Sequence, residues 1–136
     1  MKILLDTNVV LDVLLDRRPY LEDSYGTIKK ALEKGHILYI SAAAATDIFY
    51  VLRKALGSNK EALKKMKVFM KVFSFAKVDE DDIIKAFSSK INDFEDAVVD
   101  AVALSLKADL IITRNDKDFR YANVKVMTPA EYINSN

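Results

Sequence analysis

The sequence predicts a single α/β domain built on a mainly parallel sheet of about five strands. Short apolar runs alternate with longer stretches of helical character, which is typical of βαβ units. The chain has 136 residues, of which 51% are hydrophobic, so it is long enough to bury one substantial core. No linker, repeat or low-complexity tract marks a second domain. We therefore expect residues 1–136 to form one domain.

The first strand is predicted at residues 3–5, a continuous apolar run of the kind that is covered on both faces in a parallel sheet. Asp6 follows this run directly. The carboxyl ends of strands in an open α/β sheet border the crevice in which ligands bind, so a carboxylate there is well placed for chemistry. Aspartate is also an ordinary turn and cap residue, and the interpretation therefore depends on whether other acids reach the same edge.

The later elements are indicated by helix caps and by further apolar runs. More strands are predicted at residues 37–40, 75–78, 110–113 and 124–127. Helices are predicted at about 8–15 and 20–34, from Ser41 to Gly57, after Ser58 or Asn59, from Asp79, from Asn92 or Asp93 to Lys107, and from Thr128.

The predicted helix after Ser58 has two distinct sides. Leu63, Met66, Met70 and Phe73 repeat on one face, which predicts packing against the core. The other side carries a stripe of lysines, which we interpret as a solvated face. These are Lys60, Lys64, Lys67 and Lys71.

Composition excludes several kinds of function. Twenty-one basic residues stand against 20 acidic ones, so no global field attracts nucleic acid and any such binding must be local. Without cysteine there is no disulfide, thiol nucleophile or thiolate zinc site, and the lone His36 has no partner for zinc. No run is long enough to span a membrane and no signal peptide is recognisable, so we expect a soluble, cytoplasmic protein with no membrane partner.

A second polar cluster is predicted around the fourth strand. Asp96 and Asp100 are four residues apart, hence on one face of a helix, near the start of the helix that leads into this strand. Thr113, Asn115 and Asp118 follow the strand at its carboxyl end. Two strand ends therefore supply polar groups to the same edge of the sheet.

Asp47 is the third contribution. It lies six residues after Ser41, in a helix whose apolar neighbours predict packing against the core. A carboxylate in such a place is costly unless it is paired or binds a cation. Equally, Asp47 could cap the helix after an alanine-rich lead-in, and the sequence leaves both interpretations open.

If Asp6, Asp47, Asp96 and Asp118 meet in one crevice, their mutual repulsion must be offset, and no lysine or arginine recurs beside each acid. A divalent cation meets this need. Oxygen ligands favour Mg²⁺ or Mn²⁺, which also bind phosphate oxygens and activate water. The set predicts phosphodiester hydrolysis without a covalent intermediate. A haloacid-dehalogenase-like phosphatase also has an aspartate after its first strand, but such enzymes place a second aspartate two residues later. This chain has Asn8 there, which counts against an aspartyl-phosphate route.

Four segments together closely resemble the PIN domain, in the branch typified by VapC-type toxins. In chain order they are LLDTNVVLDVLL, Ser41 with Asp47 in SAAAATDIFYVLRK, DFEDAVVDAVA, and IITRNDKDF. Their order and intervals extend over almost the whole chain. The resemblance implies a Rossmann-like, three-layer α/β/α sandwich and a Mg²⁺- or Mn²⁺-dependent ribonuclease site made of clustered acids.

The resemblance also implies roles for the acids. Asp6 and Asp96 are expected to ligate the metal, while Asp47 and Asp118 orient the metal-activated water. The family commonly has glutamate where this chain has Asp47, which is one methylene shorter, so Asp47 is expected to reach the metal through water.

Polar neighbours complete the site that the resemblance implies. Thr7 or Asn8 would order it beside Asp6, and Thr113 and Asn115 match the polar pair after the fourth strand. Many members have aspartate at the position of Asn115, so this chain has one negative charge fewer. One bound metal is therefore better supported than two.

The function implied is an endoribonuclease, the toxin of a toxin–antitoxin pair, with RNA as substrate, an antitoxin partner and a homodimeric assembly. The alternative is a catalytically degenerate PIN-like module that binds RNA or protein, which Asp47 and Asn115 favour and the retained Asp6 and Asp96 disfavour. Basic residues near the site can hold RNA phosphates, although each alone also fits a solvated surface. These are Arg53, Lys54, Arg114, Lys117 and Arg120.

Overall fold

The computed structural model describes the whole chain, Met1 to Asn136, as five strands and seven α-helices. The strands are β1 (Lys2–Leu5), β2 (Ile37–Ser41), β3 (Ser74–Ala76), β4 (Leu110–Ile112) and β5 (Val126–Met127). The helices are α1 (Thr7–Leu14), α2 (Leu21–Glu33), α3 (Ala44–Leu56), α4 (Asn59–Phe69), α5 (Glu80–Phe87), α6 (Phe94–Leu106) and α7 (Pro129–Ile133). Short 3₁₀ helices cover Met70–Val72 and Asp116–Phe119. None of the helices is both long and apolar enough to cross a bilayer.

The sheet is entirely parallel, with the strand order β3-β2-β1-β4-β5. β1 is the central strand, and Leu5 pairs with Ile112 of β4 at its carboxyl end. The Asp6 N–H continues this ladder by donating to the Ile112 carbonyl at 2.9 Å. The predicted five-stranded parallel sheet is confirmed, and Asp6 follows its most enclosed strand.

Helices cover both faces of the sheet, as the predicted α/β/α sandwich requires. Side chains alternate along β1, so Ile3 and Leu5 join the core beneath α1 to α4 and α7, whereas Leu4 joins a second core beneath α5 and α6. All three are at most 2% exposed. Burying each such side chain contributes about 1.5–3 kcal/mol, which is why an uninterrupted apolar run forms the central strand.

Several predicted helix starts are confirmed by side-chain caps. Ser58 caps α4, Asp93 caps α6 and Thr128 caps α7, each by accepting the backbone N–H of the third residue after it. At the end of α3, Gly57 adopts φ 65°, a left-handed conformation that glycine enters without steric cost.

The predicted start of the third helix at Ser41 is wrong. Ser41 is the last residue of β2, and the next residue, Ala42, still donates its N–H to the Ala76 carbonyl at 2.8 Å. This sheet contact keeps the chain extended, so α3 begins only at Ala44 and has no side-chain cap.

The predicted apolar face of the fourth helix is only partly confirmed. Met70 and Phe73 are buried, but Leu63 is 54% exposed. α4 ends at Phe69 and a 3₁₀ helix follows, so the four predicted positions do not share one continuous helical face. The lysines of this segment are exposed, as expected.

Candidate active site

Asp6 is buried at the carboxyl end of β1, and three donors hold its side chain. The Thr7 N–H donates to Oδ1 at 2.8 Å, and the Thr113 hydroxyl donates to Oδ2 at 2.7 Å. The Asn8 amide donates to the same Oδ2 at 3.3 Å. These contacts, from Thr7, Asn8 and Thr113, hold the carboxylate in one orientation.

The backbone of Asn115 helps to orient the Thr113 hydroxyl that holds Asp6. Its N–H donates to Thr113 Oγ1 at 3.1 Å, and that hydroxyl in turn donates to Asp6. The Asn115 side chain is exposed and makes no hydrogen bond. The backbone contact therefore orients the threonine whatever the side chain at position 115.

Asp96 reaches the same place from the first turn of α6, where Asp93 caps the helix by accepting the Asp96 N–H at 3.0 Å. Partial burial, followed by the negative charges of Asp6, Asp93 and Asp118, raises the pKa of Asp96 to about 7. Four acids therefore act on one region, and they repel one another.

The pKa of Asp6 is subject to opposing effects, unlike that of Asp96. Burial raises the pKa of Asp6 above its ordinary value, while the hydrogen bonds from Thr113 and Thr7 and the charge of Arg114 lower it. Asp6 is the acid that has dedicated donors, whereas Asp96 has acidic neighbours. A cation between them would relieve the repulsion that remains.

A cavity of about 450 Å³ contains both carboxylates. Asp6, Thr7 and Ser41 form its floor at the strand ends, and its walls come mainly from α3 and α6. Asp47 and Tyr50 line the α3 side.

The predicted packing of this helix against the core is confirmed by the buried side chains of Ile48 and Leu52, but Asp47 itself is exposed. Capping is not its role either, since α3 has no side-chain cap. Asp47 is instead an acid on the rim of the cavity.

Asp118 approaches from the other side, on the 3₁₀ helix after β4. It is exposed and lines an adjoining cavity together with Asp93, and its charge contributes to the raised pKa of Asp96. The structure therefore brings Asp6, Asp96 and Asp118 into one electrostatic neighbourhood. Sequence reasoning identified Asp93 only as a cap, although its position three residues before Asp96 also places it beside the site.

Arg114 is occupied by a partner that sequence reasoning missed. Its Nε and Nη2 donate to Oδ2 and Oδ1 of Asp12 at 2.8 and 3.2 Å, and the Ser24 hydroxyl donates to the same carboxylate at 2.9 Å. The guanidinium also lies 3.9 Å from the centre of the Tyr20 ring. The Arg114 guanidinium is thus held by Asp12 and Tyr20, and its two donating nitrogens are not free for a phosphate.

Asp100, on the same predicted helical face as Asp96, lies outside the site. It is 2% exposed and accepts hydrogen bonds from the backbone and side-chain amides of Asn123, both at 2.8 Å. It ties α6 to the loop before β5.

We therefore expect Asp100→Ala to lower the free energy of unfolding by about 1.5 kcal/mol, because two hydrogen bonds to a carboxylate are lost. Any nuclease activity should remain within about twofold of wild type, since surface and structural changes away from the chemistry leave the barrier unchanged. Urea unfolding and a cleavage assay at a temperature where both proteins are folded test this. A loss of cleavage as severe as that in an Asp6 variant would place Asp100 in the site after all.

The arrangement suits a hard divalent ion with few protein ligands. No group of three or more His, Cys, Asp or Glu side chains forms a ready-made metal cage. Mg²⁺ typically binds through one or two carboxylates and keeps several waters, and Asp6 and Asp96 offer that donor set on one cavity. Burial is the first cause of the raised pKa of Asp96, and the negative charges of Asp6, Asp93 and Asp118, which add to it, favour a cation there.

Comparison with known proteins gives concordant results. A sequence model of the PIN domain matches residues 2–117. Ribonuclease VapC1 from Aquifex aeolicus is 28% identical over 138 residues, covering 96% of this chain and 92% of that protein.

Two solved structures show the same fold. The structure of VapBC2 from Rickettsia felis bound to a promoter DNA fragment contains a chain with a TM-score of 0.76 at 15% identity, covering 94% of this chain and 98% of that one. A toxin–antitoxin complex from Klebsiella pneumoniae contains one with a TM-score of 0.66 at 24% identity, covering 93% and 97%. Since the family model extends from β1 beyond β4 and includes both Asp6 and Asp96, the chain belongs to the PIN domain family.

Proposed function

We propose that this protein is a Mg²⁺- or Mn²⁺-dependent endoribonuclease that hydrolyses RNA phosphodiesters and acts as the toxin of a toxin–antitoxin pair. The observation that carries the proposal is the pairing of Asp6 with Asp96 on one cavity, where burial and acidic neighbours raise the pKa of Asp96 to about 7. Such a cluster has no evident use in a module that only binds a polyanion. The name of the relative from Aquifex aeolicus, a ribonuclease, supports the same activity.

Asp6 and Asp96 would hold the ion. When bound, Mg²⁺ or Mn²⁺ neutralises the facing carboxylates, polarises the phosphate and lowers the pKa of water so that hydroxide is available near neutral pH. Thr7, Asn8 and Thr113 keep the Asp6 carboxylate oriented, so no reorganisation is needed when substrate arrives.

The two rim acids act on the attacking water. Asp47 lies on the α3 wall and Asp118 on the 3₁₀ helix, so the two carboxylates come from different elements around the site. We assign them to orienting water for in-line attack on phosphorus. Asp47 is exposed, which suits a contact made through water.

The partner assignment has separate support. A relative with the same fold occurs in a toxin–antitoxin complex, and this makes an antitoxin protein the expected partner here. The homodimer expected from the family resemblance stays a prediction, for which sedimentation of the purified chain is the direct measurement.

The test is cleavage of a mixed pool of structured RNAs by the wild type and by Asp6→Asn, each with Mg²⁺, with Mn²⁺ and with EDTA. We expect metal-dependent cleavage by the wild type, and a loss of about 100-fold or more in Asp6→Asn, because a direct ligand to the catalytic ion is removed. Asp81→Asn, an exposed acid in the first turn of α5, is the matched control and should cleave normally.

Two results would contradict the proposal. Cleavage that persists in EDTA, or equally in Asp6→Asn, would point to another mechanism or a contaminating nuclease. If the wild type and Asp6→Asn both bind the pool and neither cuts, the degenerate RNA-binding module is the correct function, and Asp47 and Asn115 become the residues to revert.

A further inference from the structure

The cavity that contains Asp6 and Asp96 has an apolar side that the proposed chemistry leaves unused. The metal, the attacking water and the phosphate would all engage the acids. The apolar side is formed by side chains of three helices. These are Tyr50 and Val51 of α3, Ile83 of α5, and Phe94, Val98 and Val99 of α6. Because phosphate and ribose are polar groups, this side of the cavity suits a different part of the substrate.

Phe94 is the most favourably placed ring on the apolar side. It is the first residue of α6, two positions before Asp96, and it is 45% exposed. Phe87 stacks against it, with 5.4 Å between the ring centres and 21° between the ring planes. Phe87 does not line the cavity, so it supports Phe94 from outside and leaves the cavity surface of that ring uncovered.

Tyr50 lines the same cavity from α3, three residues after Asp47. Its ring has cationic neighbours, because the Arg53 guanidinium and the Lys54 ammonium each lie 5.7 Å from the ring centre. The ring of Phe94 has an aromatic neighbour instead. An uncharged aromatic partner is therefore better assigned to Phe94, with Tyr50 on the α3 wall beside it.

Ser41 supplies a buried donor at the floor of the cavity. It is the last residue of β2 and is 4% exposed. Its hydroxyl oxygen accepts the Ala43 N–H at 3.3 Å, and the hydroxyl donates to no protein atom. A buried hydroxyl normally donates a hydrogen bond, since an unmet buried donor is costly. The Ser41 hydroxyl is therefore available to an acceptor that enters the cavity.

The cavity, of about 450 Å³, lies within the size range of small-ligand sites, which typically combine an apolar lining with a few polar groups. We infer that its apolar side binds one unpaired nucleobase of the RNA, which stacks on Phe94 and accepts a hydrogen bond from Ser41. A base is the part of a nucleotide that combines a π face with hydrogen-bond acceptors at its edge. The inference rests on the proposed nuclease function, because the acids on the same cavity place this base next to the phosphodiester that is cut.

A base reaches this site only when it leaves its stack. In a duplex both faces of a base are covered and its pairing edge is occupied, so neither Phe94 nor Ser41 could contact it. All four bases offer a π face and an acceptor. The site therefore selects unpaired nucleotides, in loops, bulges and ends, more strongly than it selects one base over another.

The experiment separates the base from the rest of the strand. The probes are short fluorescein-labelled RNA strands in which only the central residue carries a base, which is uracil, cytosine, adenine or guanine. A reference strand is abasic throughout. The protein is the full chain with Asp6→Asn and Asp96→Asn, which lowers the repulsion between the acids and the strand, keeps the shape of the cavity and prevents cleavage. Binding is followed by fluorescence anisotropy.

We expect the strands with a base to bind about fivefold or more tightly than the abasic reference, because each base that stacks on an aromatic ring favours binding by at least that factor. Phe94→Leu should remove most of this difference and leave the reference within about twofold, since an abasic residue cannot stack. Phe75→Leu, at a phenylalanine of similar exposure on β3, is the matched control and should keep the difference. Equal binding of strands with and without a base, or an equal loss for both in Phe94→Leu, would overturn the inference.

The hydrogen bond has its own test. Ser41→Ala should weaken the binding of the base-carrying strands about threefold or more, the usual effect of one neutral hydrogen bond, and leave the abasic reference unchanged. Thr46→Ala is the control, because Thr46 carries an exposed hydroxyl in the first turn of α3 that does not line the cavity. A loss of the same size for both kinds of strand would mean that Ser41 only supports the local fold, and would remove it from the base site.

A second copy of the chain is the competing occupant of the apolar side, and sedimentation of the same proteins measures it separately. Base-dependent binding at an unchanged mass in Phe94→Leu would support the base site. Dissociation of a dimer by Phe94→Leu, with no difference between base-carrying and abasic strands, would overturn the inference and identify an interface between copies.

These outcomes are separate from those for the nuclease. Binding that does not depend on the base, in a protein whose wild type cleaves with Mg²⁺, would contradict the base site and leave the nuclease standing. Base-dependent binding that is lost in Phe94→Leu, in a protein whose wild type never cleaves, would support the base site and contradict the nuclease.

Discussion

Replacing Asp96 by asparagine is expected to reduce Mg²⁺-dependent cleavage by about 100-fold or more, because the amide is a poor ligand for a hard cation and one of two direct ligands is lost. Asp96 lies among other acids, whose charges add to the effect of burial in raising its pKa. The measurement is the single-turnover rate with the RNA that the wild type cleaves best. A fall of less than about tenfold would remove Asp96 from the set of direct ligands.

The same substitution should stabilise the metal-free protein at neutral and alkaline pH. The pKa of Asp96 is raised from 3.8 to about 7 in the folded state. A raised folded-state pKa means that the carboxyl contributes stability fully below about pH 4, and that this contribution is lost as pH rises through about 7. The asparagine side chain does not ionise, so the variant does not lose this stability as pH rises.

After allowance for the solvent screening of a half-buried group, the gain at pH 8 should be about 1 kcal/mol. Urea unfolding in EDTA at pH 5 and pH 8 measures it, and the two proteins should converge towards the lower pH. Adding Mg²⁺ should stabilise the wild type and have little effect on the variant, since an ion that binds only the folded protein stabilises it. Equal stabilisation of both by Mg²⁺ would place the ion elsewhere.

Arg114→Leu should give the largest loss of stability among single substitutions near the site, about 3 kcal/mol in the free energy of unfolding. The Asp12 side chain is 0% exposed, and removing the arginine leaves a buried carboxylate with only the Ser24 hydroxyl as donor. Removing one partner of a buried ion pair typically costs 3–5 kcal/mol, and the partial exposure of Arg114 places this pair at the low end of that range. Chemical denaturation is the measurement.

A double variant separates the charge effect from lost packing. If the cost arises from an uncompensated carboxylate, combining Arg114→Leu with Asp12→Leu should recover a large part of the lost stability. Cleavage should fall in Arg114→Leu even where the protein is folded, because the charge of Arg114 lowers the pKa of Asp6 and so favours its ionised carboxylate. Additive losses in the double variant would mean that the two side chains stabilise the fold independently.

The sequence was sufficient to predict the architecture. The apolar run before Asp6, the glycine at position 57 and the caps at Ser58, Asp93 and Thr128 are local signals, and each corresponds to an element boundary in the structure. The failures have non-local causes. Ser41 was placed in a helix because alanines follow it, whereas a hydrogen bond from Ala42 to β3 decides the conformation.

The site was predictable in its acids but not in their surroundings. Asp6, Asp96 and Asp118 follow from strand ends and helix starts, which sequence patterns locate. The partner of Asp12 is 102 residues away, so no local pattern shows that this aspartate is buried and paired. Asp100 lies four residues after Asp96, a spacing that would also suit a second acid of the site. Only its hydrogen bonds with Asn123 show that its role is structural.

The position of β1 at the centre of the sheet separates Asp6 from the surface segments that tolerate changes of sequence. Asp6 continues a strand that is hydrogen-bonded on both sides, so its amide should be among the slowest to exchange with deuterated solvent and to open only with global unfolding. The loop before α6 and the 3₁₀ helix Asp116–Phe119, by contrast, lie largely at the surface, where substitutions and insertions are tolerated. The sequences of these segments can therefore diverge between homologues while Asp6 remains anchored in the interior of the sheet.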